Sequence, residues 1–158
     1  MFKKTKVILI FIFSFSLLSC GFKKIDQNNA LINLKKINIT GEVRDVYILK
    51  NNIELISNEN AADKYTIEIK LSKKKMVKKN KDNRASSYSL YGTADLLIKD
   101  IDNKKVASQV FTRNVDYDVE SFQISTIARE RNASKKIMQE LSEDIIKFVF
   151  FSIKTRWY

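Results

Sequence analysis

Tyr65-Thr66-Ile67-Glu68-Ile69-Lys70-Leu71-Ser72 is the stretch that decides the fold. Tyr65, Ile67, Ile69 and Leu71 alternate with four polar residues. Successive side chains of a strand point to opposite faces, so this is a half-buried strand with one wet face. A second alternating run follows over residues 87–101. There Tyr88, Leu90, Ala94, Leu96 and Ile98 are set against Ser87, Ser89, Thr93 and Asp95. Asp102-Asn103 is turn chemistry that tolerates left-handed backbone. Residues 106–117 then return as a third strand, with Val106, Val110, Phe111 and Val115 as its bulky members. Three such strands in succession form an antiparallel meander.

Upstream of the meander, residues 31–40 read as a strand with Ile37 and Ile39 on one face, ended by Gly41. Residues 42–57 read as a helix, because Val46, Leu49, Ile53 and Ile56 recur at spacings of three and four. Asn51-Asn52 weakens that helix, and a strand over 46–49 is the competing reading. Downstream, residues 121–153 read as one long closing helix. Ile127, Ser134, Ile137, Leu141, Ile145 and Phe148 line one side of it, and Ser121 or Ser125 could cap its start. Phe148-Val149-Phe150-Phe151 is apolar all round. The order is β-α-β-β-β-α. It predicts an α+β two-layer sandwich, a four-stranded mixed sheet with two helices on one face. The polar alternates Thr66, Glu68, Lys70 and Ser72 are expected on the uncovered face.

The start of the chain has a different character. Residues 1–6 carry Lys3, Lys4 and Lys6 and no acid, and residues 7–18 are apolar apart from Ser14 and Ser16. Twelve helical residues rise only about 18 Å, short of the roughly 30 Å of a bilayer core. A basic start, a short apolar run and a small residue before the cut make an export signal. Leu17-Leu18-Ser19-Cys20-Gly21 places that cut before a cysteine, the pattern of a bacterial lipoprotein box. The expected organisation is a signal peptide over 1–19, an acylated tether over 20–30 with the lipid on Cys20, and a single α+β domain over 31–158. An uncleaved anchor or an ordinary secreted protein is the alternative. Gly21 after the lipid-bearing cysteine, in place of aspartate, fits sorting to the outer membrane.

Composition narrows the chemistry. The chain has 158 residues, 44% of them hydrophobic, which suits one domain with a real core. It has no histidine and one cysteine, so imidazole-based triads and metal sites, disulfides and thiolate metal sites are excluded once Cys20 carries lipid. Three glycines and no proline argue against glycine-rich phosphate loops. No cofactor is implied. The net charge of +11 becomes +8 when the three leader lysines leave, so an acidic partner is expected. For an exported lipoprotein that partner is phosphorylated lipid rather than nucleic acid. Abundant lysine and asparagine could also reflect an AT-rich genome.

The densest charge lies in residues 73–84, with Lys73, Lys74, Lys75, Lys78, Lys79, Lys81 and Arg84 against Asp82 alone. It reads as a basic loop between two strands, a cationic hairpin tip that phosphates could engage through charge-assisted contacts. A merely solvated charge run is the plainer reading. Arg113 on the last strand is a weaker second candidate. Glu140 with Asp144 is the only carboxylate pair a hydrolase could use. At a spacing of four on a helix surface such pairs simply repel.

Cys20-Gly21-Phe22, together with the closing helix Ile127-Ala128-Arg129-Glu130-Arg131-Asn132-Ala133 and its continuation Leu141-Ser142-Glu143-Asp144-Ile145, resembles the LPS-assembly lipoprotein LptE family. The likeness runs through the mature chain in element order. It departs at Lys23-Lys24-Ile25, where the family often has proline and then Leu-Tyr. The resemblance implies a non-enzymatic outer-membrane lipoprotein. Such a protein plugs an LptD barrel, assists its assembly, and binds lipopolysaccharide on its way to the outer leaflet. Membrane attachment would be by the lipid, with the domain on the periplasmic side or within the barrel lumen. A scaffolding lipoprotein of another envelope assembly is the rival reading.

Overall fold

The computed structural model describes residues 32–82 and 84–154. Cys20, the leader and the tether lie outside the described residues. The elements are β1 (Asn33–Thr40), α1 (Val43–Glu54), β2 (Lys64–Lys81), β3 (Arg84–Lys99), β4 (Lys105–Asp118) and α2 (Gln123–Lys154). They form the expected α+β sandwich, with one sheet in the order β1-β2-β3-β4. β1 pairs parallel with β2, and the other two pairings are antiparallel.

The expected alternation sets the layers. Tyr65, Ile67, Ile69 and Leu71 of β2 and Leu90, Ala94, Leu96 and Ile98 of β3 are buried in one core. Leu49 and Ile53 of α1, Ile56 in the turn after it, and Ile137, Leu141, Ile145 and Val149 of α2 meet them there. The helical reading of residues 42–57 therefore prevails over the strand reading. In β1 the register shifts between Leu34 and Lys36. That bulge lets Leu34 and Ile37, three apart, face Tyr65 and Ile67 on the same side. Asn103 takes a positive φ of 60°, as a left-handed turn residue should. The Asp100 side chain accepts the N–H groups of Asp102 and Lys104.

Two glycines work as contact points. Gly41 has φ +153°, and a Cβ there would lie 2.8 Å from Leu71 Cβ. Gly92 in β3 lies directly beneath α2, and a Cβ there would run into Ile137 Cγ2. The helix seats close to the sheet because that side chain is absent.

Three expectations are corrected. Residues 73–81 are strand, not loop, because β2 continues to Lys81 and pairs with β3 almost to its end. Beyond Leu71 both faces carry polar residues, so no apolar alternation marks them as strand. Ser87 and Ser89 are buried although they lie on the uncovered face. Ile127 is exposed, and the buried stripe of α2 begins at Ala133 and Ser134.

Candidate functional site

The paired strands beyond Leu71 make a long cationic arm. β2 has 18 residues, and at about 3.3 Å each the turn at Asp82 lies on the order of 60 Å along the strand from Lys64. Asp82 carries a positive φ of 52° there. The chain enters the sheet at the opposite end, where Asn33 pairs with Lys64.

The structure divides the predicted cations into two groups. Lys73, Lys75, Lys78 and Arg113 are held by acids of this domain. Lys74, Lys79, Lys81 and Arg84 are exposed on the arm and make no ion pair among the described residues.

Lys73 continues the inward face of β2 and points under the helices. Its Nζ lies 2.7 Å from Asp45 Oδ2, 2.8 Å from Glu42 Oε2, and 3.1 Å from Ser134 Oγ, to which it donates. The Ser134 hydroxyl donates in turn to Asp45 Oδ1 at 2.9 Å. Asp45 is 2% exposed, so this cluster ties α1, β2 and α2 together in a low-dielectric place. Burial works against the Lys73 ammonium, but the bonds to Asp45 and Glu42 outweigh it and hold its pKa above the ordinary lysine value.

Lys75 follows on the same face. It pairs with Glu130 of α2 at 3.0 Å and lies 5.2 Å from the centre of the Tyr88 ring. Tyr117 donates its hydroxyl to the same Glu130 oxygen at 2.9 Å. Burial would push the Glu130 carboxyl up, but the bonds from Lys75 and Tyr117 prevail and hold it below the usual carboxylate range. Burial, and then the Glu130 bond, push the Tyr117 phenol above its ordinary value.

On the uncovered face Lys78 pairs with Asp116, and Ser89 donates to the other oxygen of that carboxylate. These bonds, Lys78 first, hold the Asp116 carboxyl low. Arg113 lies against α2 and donates twice to Asp144, from Nε at 2.7 Å and from Nη2 at 2.8 Å. Asp144 is therefore occupied, and Glu140 lies 4.0 Å from Lys136. The two carboxylates of the hydrolase reading each face a cation. No group of three or more metal-ligating acids occurs among the described residues.

Sequence reasoning missed Asp45, Glu130 and Asp116 as partners of the lysines. For Asp45 a signal existed. It sits four residues before Leu49, on the buried stripe of α1.

No family model matches this chain, and no curated protein does. Solved structures do. A candidate lipoprotein from Caulobacter crescentus superposes with a TM-score of 0.58 at 17% identity, covering 80% of this chain and 93% of the other. A minor lipoprotein from Acinetobacter baumannii gives 0.57 at 14% identity, over 71% and 86%. The rare lipoprotein B from Shewanella oneidensis gives 0.61 at 8% identity, over 78% and 99%. The likeness is one of fold. At these identities it extends to the sandwich and its element order, and to no particular residue.

Proposed function

We propose that this chain is an outer-membrane lipoprotein, attached through lipid on Cys20, that fills the lumen of an LptD-like barrel and offers its cationic arm to lipopolysaccharide. The role is binding and assembly rather than catalysis. Three things support the reading. The leader ends in a lipoprotein box at Cys20. The three proteins of shared fold are each described as lipoproteins. The arm carries cations that the domain leaves uncommitted.

The last observation carries the proposal. Lys73, Lys75, Lys78 and Arg113 are spent on internal acids, so they serve the arm's shape. Lys74, Lys79, Lys81 and Arg84 are the groups open to the phosphates of a sugar headgroup. Each such exposed contact contributes about 0.5 kcal/mol and is screened by salt, so several must act together.

The test is lipopolysaccharide binding by the triple variant Lys79→Gln, Lys81→Gln, Arg84→Gln. Loss of three contacts amounts to about 1.5 kcal/mol, or roughly tenfold in affinity at low salt. The remaining binding should respond less to added salt. Unchanged affinity and salt response would make the arm a bystander.

A further inference from the structure

The two edges of the sheet are protected unequally. β1 has eight residues, carries exposed Lys35 and Lys36, and is broken by a bulge. Those are the devices by which natural sheets discourage further pairing. β4 has 14 residues, and its one register shift and exposed lysine lie at its very start, at Lys105 and Val106, leaving the rest of the edge regular. Between Lys105 and Asp116 its only charge is Arg113, and Asp144 neutralises that group. Val110 is 54% exposed on its uncovered face. Beside it a groove of about 580 Å³ opens between β4 and α2, lined by Phe111, Phe148 and Phe151 among others. Phe151 is 67% exposed.

We propose that two copies of this chain join edge to edge through β4, antiparallel about a two-fold axis beside Phe111. The inference is independent of the barrel reading.

Three observations favour a second copy over an unrelated strand. First, the charges of β4 are self-complementary only in antiparallel pairing. Lys105 stands at its start, and Asp116 and Asp118 at its end. With Phe111 on the axis, Lys105 at the start of β4 comes beside the mate's Asp116 and Asp118 at its end, and the uncharged centre pairs Val110 with the mate's Thr112. Like charges never meet directly. Second, the helices fit. α2 rests over both middle and edge strands: Ile137 lies over Gly92 of β3, and Phe148 meets Phe111 of β4 edge-on at 5.7 Å. Strands are about 4.8 Å apart, so an axis half a spacing beyond β4 sets the two copies of α2 about 10 Å apart. That is an ordinary helix packing distance. Third, the axis passes beside the aromatic groove. The mate's Phe148 and Phe151 would close it from the other side, in the manner of an isologous interface.

Sedimentation equilibrium of the full chain in density-matched detergent tests this. The native chain should sediment as a dimer at micromolar concentration. Val110→Lys sets two like charges beside the axis and should give a folded monomer. Adding Thr112→Glu places each new carboxylate opposite the mate's new ammonium and should restore the dimer. A monomeric native chain overturns the proposal, as does a Val110→Lys variant that stays dimeric or a folded double variant that stays monomeric. Should Val110→Lys fail to fold, a spin label on Thr112→Cys decides the matter. Diagonal neighbours lie about 7–8 Å apart, so the labels on two chains should couple strongly. No interchain coupling above that of a chain without the substitution overturns it.

Discussion

Replacing Lys73 with methionine keeps most of the side chain's bulk and removes one charge. Asp45 is then left inside the sandwich with Ser134 as its only remaining side-chain donor among the described residues. Removing one partner of a buried ion pair costs about 3–5 kcal/mol, because the stranded charge has lost its compensation. The Lys73 side chain is itself 23% exposed, so water reaches part of the site and the lower end, about 3 kcal/mol, is expected. With a urea m-value of about 1.5 kcal/mol per molar, the unfolding midpoint should fall by about 2 M. The melting temperature should drop on the order of 10 °C. The double variant Lys73→Met, Asp45→Leu removes both charges and should recover more than half of the loss. Urea titration followed by circular dichroism reads all three chains. A loss below about 1 kcal/mol for Lys73→Met, or strictly additive losses in the double variant, would show that the cluster is a surface contact and not a junction of three elements. Lipopolysaccharide affinity of folded Lys73→Met should be unchanged, which separates Lys73 from the open cations of the arm.

Gly92→Ala places a methyl group against Ile137 and should destabilise the fold by about 1–3 kcal/mol in the same titration. Asp144→Asn removes the two-pronged pair with Arg113, which is half exposed, and should cost about 1 kcal/mol or less. Asp144 and Glu130 have pKa values lowered by folding, Asp144 chiefly through Arg113, and Glu130 through Lys75 and Tyr117 against its burial. Such groups contribute stability that is present above their unfolded pKa and is lost as pH falls through the folded value. Stability should therefore hold between about pH 7 and 5 and decline below about pH 4, with a shallower decline in Asp144→Asn. Lys73 has a raised pKa, so its contribution is present below the ordinary lysine value and fades only as pH rises beyond it.

The fold was legible wherever one face is apolar and the other wet. Residues 65–72 and 46–56 show their period because burial enforces it. The arm was not legible as strand, since beyond Leu71 its inward positions are lysines held by acids of other elements, and no apolar alternation marks them. The lysine cluster was legible as charge but not as two groups. What divides it is the parity of β2: Lys73 and Lys75 follow Leu71 on the inward side, towards Asp45 and Glu130. The central polar junction left a trace in the sequence, though a faint one. Asp45, Lys73 and Ser134 are each a polar residue on a mostly apolar stripe, of α1, β2 and α2 in turn. No local pattern says that three exceptions on three elements converge, and only the packing brings them together.

The proposed partner is a large outer-membrane barrel around the uncovered face of the sheet. Lys70 is exposed on that face. A photo-activatable cross-linker at Lys70, followed by extraction of the envelope in detergent, tests for that partner directly. One dominant product is expected, joining this chain to a single large membrane protein. Products with soluble proteins alone would contradict it.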